Sequence, residues 1–148
     1  MIELPDVEAT VDFGRRLGSL LRAGDLVLLA GPLGAGKTVL ARGIAAGMGV
    51  SGRVSSPTFV LARVHPAAAG GVALVHVDAY RLGGSLAELD DLDLDTDLAA
   101  SAVIVEWGEG SAERLSESYL LIQLDRREDD TRVARLRPHG DWRTRELP

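Results

Sequence analysis

The chain has 148 residues, of which 46% are apolar and 4% aromatic, a length and composition that suit one ordinary domain with a hydrophobic core. It contains no cysteine, which excludes disulfides and thiolate metal sites, and its net charge of −6 argues against non-specific binding to DNA or RNA, which needs clustered cations. The N-terminus does not read as a signal peptide and no apolar run reaches the length of a membrane span, so we expect a cytoplasmic protein without membrane contact.

The first predicted elements surround a glycine-rich loop. An amphipathic pattern predicts a helix over residues 8–22, and the apolar run at 25–30 predicts a buried strand. Residues 31–38 read GPLGAGKT, which matches the pattern G-x-x-x-x-G-K-[ST], and a further helix is predicted over 38–48. Strand, loop and helix therefore follow in the order that a phosphate-binding P-loop requires.

The second half of the chain is predicted to be mainly strands. Residues 58–64 and 72–77 predict a hairpin, and 103–105 predict a buried strand. Residues 119–124 and 132–136 predict a second hairpin, followed from Pro138 by a polar and loose tail. The whole order predicts an α/β fold. We expect a single P-loop NTPase domain over residues 1–148, with a central mixed sheet, helices on both faces and a C-terminal β-hairpin.

Lys37 is the only lysine of the chain, and the other fifteen basic residues are all arginine. A compact ammonium on a flexible stem fits against phosphate oxygens in a way that a planar guanidinium does not. Gly31 and Gly36 allow backbone angles at which successive N–H groups turn inward and form an anion-binding nest. In such a loop Lys37 reaches the β- and γ-phosphates of a nucleotide, and the hydroxyl of Thr38 is a ligand for Mg²⁺.

Two carboxylates each end an apolar run. Asp78 follows residues 74–77 and Glu106 follows 103–105, and the carboxyl ends of strands in open α/β sheets face the ligand crevice. One acid could hold Mg²⁺ and the other could orient an attacking water. Acids at strand ends can also simply begin solvated loops. The acidic segment 88–97 lacks the glycine and glutamate of a calcium loop, so we interpret it as solvated surface.

Several classes of P-loop protein remain at this point. A guanine-specific switch needs an N-K-x-D motif, and the chain has no asparagine, so a GTPase is disfavoured. A small-molecule kinase usually needs a substrate lobe and a lid, for which 148 residues leave little room. That kinase stays an alternative, as does an assembly module that nucleotide binding gates without hydrolysis.

Three further motifs narrow the choice. Residues 56–59 read SPTF, 76–82 read HVDAYRL and 105–107 read VEW. With the P-loop, they resemble the TsaE (YjeE) family of bacterial P-loop ATPases, and the resemblance covers roughly residues 8–136. It implies a Mg²⁺-dependent ATPase, weak alone, that is required to form N6-threonylcarbamoyladenosine at position 37 of tRNAs. It also implies association with the TsaB–TsaD transfer complex, and with tRNA indirectly through that complex.

The resemblance also assigns residues. It implies that Lys37, Asp78 and Glu106 serve catalysis with ATP, and that Thr38 and Glu106 bind Mg²⁺. For Thr10, capping of the first helix is the alternative to nucleotide contact, and for Trp107 the alternative is core packing. Residues 56–59 are expected to form a switch-like segment beside the nucleotide. The residues expected to contact the nucleotide are Thr10, Leu33, Gly34, Ala35, Gly36, Lys37, Thr38, Trp107 and Arg132.

One segment departs from the family pattern. The family usually reads E-L-E-x-x-G after the tyrosine-arginine motif, and residues 88–93 here read ELDDLD. This difference concerns contact with a partner and not nucleotide binding.

Overall fold

A computed structural model describes residues 2–32, 35–49, 62–65, 72–78, 101–106, 118–145 and 147–148. These residues contain seven strands, two α-helices and a final 3-10 helix. None of the described helices is long and apolar enough to cross a membrane. In chain order the elements are β1 (Ile2–Leu4), α1 (Val7–Gly18), β2 (Leu26–Ala30), α2 (Lys37–Met48), β3 (Ala62–His65), β4 (Ala73–Asp78), β5 (Ser101–Glu106), β6 (Tyr119–Arg126), β7 (Arg132–His139) and the 3-10 helix (Gly140–Thr144).

All seven strands form one sheet in the order β1-β7-β6-β2-β5-β4-β3. The central strands β6, β2, β5 and β4 are parallel, whereas β7 and β3 are antiparallel to their neighbours β6 and β4. The predicted mixed sheet and C-terminal hairpin are therefore confirmed, and β3 and β4 form the other predicted hairpin. The sequence pattern did not predict β1, a three-residue strand that pairs with β7.

Both described α-helices pack on the same face of the sheet. Phe13 and Leu17 of α1 and Leu40 and Ile44 of α2 share one buried cluster with alternate residues of the central strands. The prediction of helices on both faces is tested only for this face, because both α-helices of the described residues pack on it. Four apolar side chains of the opposite face are also fully buried: Leu26, Leu28, Val103 and Val105.

The two helices approach each other through glycines spaced four residues apart on each helix. A methyl group on Gly18 of α1 would lie 2.1 Å from the carbonyl oxygen of Ile44, and one on Gly43 of α2 would lie 2.5 Å from that of Val11. Gly14 and Gly47 are equally confined by backbone atoms of the facing helix. The absence of side chains lets α1 pack directly against α2, the helix that follows the P-loop.

Helix α1 ends four residues before the predicted boundary at 22. Just after the helix, the N–H of Leu21 donates to the carbonyl oxygen of Gly18, three residues earlier. The hydroxyl of Ser19 donates to the carbonyl oxygen of Arg16. The N–H of Arg22 donates instead to the carboxylate of Asp25, at 2.6 Å. A side-chain donor, Ser19, and a side-chain acceptor, Asp25, therefore compete near the helix end with the helical hydrogen bonds that the apolar spacing predicted.

The segment from Pro138, predicted as a loose tail, instead completes β7 and forms the 3-10 helix. Trp142 is only 2% exposed and belongs to the main core cluster. The guanidinium of Arg145 stacks 3.9 Å from the Trp142 ring and donates to Asp25 at 2.7 Å. The segment was predicted to be loose because most of its residues are polar. The burial of one large apolar side chain, Trp142, holds it against the sheet.

Candidate functional site

The loop after β2 turns back on itself at two glycines. Gly31 has φ of 143°, and a methyl group there would lie 2.2 Å from the carbonyl oxygen of Leu124, so β6 packs directly against its backbone. Gly36, with φ of 101°, is the N-cap of α2. Both positions favour glycine, because other residues rarely adopt such angles. The helix N-terminus that follows directs N–H groups and a positive dipole end toward the loop, which favours an anion.

Lys37 is the first residue of α2 and lies back over the loop. Its side chain is 8% exposed, and Nζ donates to the carbonyl oxygen of Gly31 at 2.5 Å. A buried ammonium held against the loop is placed to meet phosphate oxygens that enter the same nest. Ala35 is buried beneath the loop, whereas Leu33 and Gly34 lie outside the described residues.

Beside the loop, a hydroxyl, a carboxylate and an imidazole form one chain of contacts. The hydroxyl of Thr38 donates to Oε1 of Glu106 at 3.2 Å, and Nε2 of His76 lies 2.6 Å from Oε2 of the same carboxylate. Glu106 is 5% exposed and His76 is fully buried. The parallel pairing of β2 with β5 brings Glu106 to the end of the sheet at which the loop begins.

Asp78 occupies the matching position on the next strand. In the parallel ladder of β4 and β5 it is the direct partner of Glu106. The two acids that the sequence placed after apolar runs therefore end neighbouring strands, at the carboxyl edge of the sheet. This edge is where ligands bind in open α/β folds.

A cleft of about 330 Å³ opens on the other side of the loop, between the start of α1 and the hairpin of β6 and β7. Thr10, Gly36 and Arg132 all line it, so three residues expected to contact the nucleotide come together here. Thr10 is not the cap of α1, because the side chain of Asp6 accepts the N–H of Ala9 at 2.8 Å. The remaining walls include apolar surface from Pro5, Val7 and Val39.

The turn between β6 and β7 positions the arginine of the cleft. Nη1 of Arg132 donates to the carbonyl oxygen of Asp130 at 2.7 Å, and Asp130 adopts φ of 68°. The side chain of Asp130 accepts from Arg126, which also lines the cleft. In the same turn, the N–H of Thr131 donates to Asp129 at 3.0 Å, and this bond lowers the pKa of the Asp129 carboxyl.

The donor atoms next to the loop suit magnesium. Mg²⁺ takes oxygen ligands and is commonly held by one or two protein groups plus phosphates and water. The hydroxyl of Thr38 and Oε1 of Glu106 are 3.2 Å apart, close to the roughly 3.0 Å between neighbouring ligands of an octahedral ion at about 2.1 Å. No cluster of three or more cysteine, histidine or acidic side chains suited to a metal occurs in the described ranges.

Further predicted site residues lie outside the described residues, namely Trp107 and residues 56–59, as does the end of the third motif at 79–82. Sequence reasoning also missed two features of the site. His76 was part of a recognised motif but was given no role, and Arg126 was not singled out at all. The alternation of β4, which places His76 two residues before Asp78, was the signal that could have identified the histidine.

A family model described as "Threonylcarbamoyl adenosine biosynthesis protein TsaE" matches residues 4–134. The chain belongs to the TsaE family. Because the match runs from β1 into β7, it includes the P-loop, His76, Glu106 and Arg132.

Individual relatives support the same assignment. The chain is 60% identical over 120 residues to the tRNA threonylcarbamoyladenosine biosynthesis protein TsaE of Streptomyces coelicolor, covering 81% of each chain. It is 59% identical to the protein of the same name from Mycobacterium tuberculosis H37Rv, covering 88% of this chain and 82% of that one. It also resembles the crystal structure of Bacillus subtilis YdiB, with a TM-score of 0.78 and 27% identity over 95% of this chain and 85% of that one.

Proposed function

We propose that this TsaE-family chain is a Mg²⁺-dependent ATPase, a single cytoplasmic P-loop domain that is required for threonylcarbamoyladenosine formation at position 37 of tRNAs. It acts with the TsaB–TsaD transfer complex and serves tRNA indirectly through that complex. One observation carries the proposal: the hydroxyl of Thr38 and the carboxylate of Glu106 meet at 3.2 Å beside a P-loop over which Lys37 lies. The names of the relatives support the pathway, and the loop geometry supports the nucleotide.

In this proposal the triphosphate enters the nest between Gly31 and Gly36. Lys37 exchanges part of its contact with the Gly31 carbonyl for the β- and γ-phosphate oxygens. The N–H groups at the start of α2 add donors on the same side. These groups bind and orient the phosphates without any covalent step, which is the main task of the protein in phosphoryl transfer.

Thr38 and Glu106 are the residues that would hold Mg²⁺. When bound, Mg²⁺ would neutralise negative charge that develops on the phosphates. Asp78, next to Glu106 in the ladder, orients the attacking water. Water bonds to the γ-phosphorus as the bond to the β–γ bridging oxygen breaks, and ADP and phosphate leave.

The cleft beside the loop receives the nucleoside. Its volume of about 330 Å³ is within the range of small-ligand sites, and it combines apolar walls with a few polar groups. Arg132 and Thr10 line opposite walls, contributed by β7 and α1. Their position next to Gly36 supports the two assignments that the family resemblance implied.

The test compares ATP hydrolysis, with and without the TsaB–TsaD complex, and tRNA modification in a reconstituted reaction. We expect Lys37→Ala and Glu106→Ala to lose hydrolysis and modification, because they remove charged groups that act on the phosphates and metal. Arg42→Ala, which removes an exposed charge from the same helix as Lys37, should leave both activities intact. Circular dichroism and melting temperature establish that each variant is folded.

The outcomes separate the alternatives. Wild-type hydrolysis by Glu106→Ala would contradict the metal assignment. Modification that needs ATP but continues with a non-hydrolysable analogue would favour the gated assembly module. Transfer of the γ-phosphate to a small hydroxyl compound would favour the kinase.

A further inference from the structure

His76 is a buried histidine to which the proposed function gives no role. Its side chain is fully buried in β4, and Nε2 lies 2.6 Å from Oε2 of Glu106. Nδ1 is also buried and has no hydrogen-bond partner among the residues that the structure describes. A buried polar atom without a partner costs about 1–3 kcal/mol. Packing alone therefore does not account for a histidine in this core, since an apolar side chain would avoid that cost.

The strand register explains how the two side chains meet. His76 is the partner of Ile104 on the parallel strand β5, and Glu106 lies two residues farther along that strand. Residues two apart in a strand project from the same face, so the imidazole and the carboxylate share the face that carries α1 and α2. The contact therefore comes from the regular part of the sheet and not from a loop.

The contacts of Glu106 are divided between its two oxygens. Oε2 meets His76, and Oε1 accepts the hydroxyl of Thr38. Each carboxylate oxygen has two acceptor positions, so these two contacts leave capacity for a further ligand. With one oxygen fixed by a buried ring, rotation of the carboxylate about its last bond is restricted, and Oε1 stays beside Thr38.

We propose that His76 is a positioning residue, whose Nε2–H holds the Glu106 carboxylate in the orientation that serves nucleotide-bound Mg²⁺. This inference rests on the proposed function. An ionised Glu106 can only accept, so Nε2 must carry the ring proton in this contact. Hydrogen bonds of this kind orient metal ligands, and their loss typically weakens metal affinity about 10–100-fold.

The test uses three substitutions that differ in where they place a donor. In His76→Gln the amide nitrogen can occupy the position of Nε2, in His76→Asn the amide is too close to the backbone, and His76→Leu has no donor. Binding of a fluorescent ADP is measured in EDTA and then as a function of Mg²⁺ concentration, so that the readout does not depend on hydrolysis.

We expect His76→Leu and His76→Asn to need at least about tenfold more Mg²⁺ for half-maximal enhancement of binding, and His76→Gln to stay within about threefold of wild type. Affinity in EDTA should change by less than about twofold in all three, because the phosphate nest and the cleft are unaltered. The matched control is Leu74→Val, a buried change on the same strand. It should lower the melting temperature and leave the Mg²⁺ requirement unchanged.

An identical Mg²⁺ requirement for the Gln and Asn variants would overturn the positioning role, and so would a wild-type requirement for His76→Leu. If His76→Leu does not fold, the comparison of Gln with Asn decides alone. A wild-type chain that binds ADP equally well in EDTA and in Mg²⁺ would have a different meaning. It would overturn the inference, because His76 would then have no metal contact to set, whereas the proposed function would fall only if ATP hydrolysis did not need Mg²⁺.

Discussion

At the scale of single residues, the structure gives a reason for one lysine among fifteen arginines. Lys37 is 8% exposed, and its Nζ lies 2.5 Å from the carbonyl oxygen of Gly31, so the compact ammonium makes a buried contact with the loop backbone. Elsewhere in the described residues, arginines make forked contacts, as Arg145 does with Asp25 and Leu20. The two cations are therefore used for different geometries, as their shapes require.

If the shape of the cation matters as well as its charge, Lys37→Arg should lose function although it keeps the positive charge. We expect nucleotide affinity to fall by about tenfold or more, because the guanidinium displaces the loop or the phosphates, and charged hydrogen bonds contribute about 1.5–3 kcal/mol each. Titration with a fluorescent nucleotide measures the change. The reverse exchange, Arg42→Lys, lies on an exposed face of the same helix and should have no effect. Unchanged affinity in Lys37→Arg would contradict the close fit.

Some features of the candidate site could be predicted from the sequence, and others could not. Lys37, Thr38 and Glu106 could be identified because local spacing defines a P-loop and a strand end. The contact between His76 and Glu106 could not, since it joins residues 30 apart through a register that no local pattern encodes. The candidate residues of the P-loop and the strand end could be predicted from the sequence. The contact that orients the Glu106 carboxylate depends on how the strands pair in the folded sheet.

At the scale of elements, the glycine contact between α1 and α2 connects the P-loop helix with the helix that carries Thr10. Sequence reasoning predicted both helices, but it gave no role to the glycines within them. Glycine lowers helix propensity by about 1 kcal/mol relative to alanine, so four of them in two short helices need a compensating reason. The close approach of the two helix backbones, which only glycine allows at these positions, is that reason.

We predict that Gly43→Ala destabilises the protein by about 1–3 kcal/mol, although alanine is the better helix former. The added methyl group would lie 2.5 Å from the carbonyl oxygen of Val11, a backbone atom that cannot move aside as a flexible side chain can. Denaturant unfolding measures the free energy. As a control, Ala46→Gly at an exposed position of α2 reports propensity alone and should cost about 1 kcal/mol. Stabilisation by Gly43→Ala would show that the helices are not in backbone contact.

At the scale of the whole molecule, the contacts that fix the C-terminal segment and the residues of the candidate site lie at opposite ends of the sheet. The P-loop leaves the carboxyl end of β2, while the C-terminal segment is fixed at the opposite end of that strand. There Asp25 accepts from Arg145 and from the N–H of Arg22, and its carbonyl accepts the N–H of Val103. The final 3-10 helix and Arg145 thus hold the start of β2 and the end of α1, at the opposite end of β2 from the P-loop.

We therefore predict that Trp142→Ala lowers the free energy of unfolding by about 3–5 kcal/mol, as for other buried tryptophans, and leaves nucleotide affinity unchanged at temperatures where the variant is folded. Removing the indole empties a site in the core and also removes the surface on which Arg145 stacks. Arg143→Ala, an exposed change one residue away, should alter stability by no more than about 0.5 kcal/mol. Thermal and denaturant unfolding measure the first effect, and fluorescent ADP titration measures the second. A fall in affinity that matches the fall in stability would mean that the two ends of β2 are coupled, because a rigid central strand would otherwise keep the P-loop in place when its far end loosens.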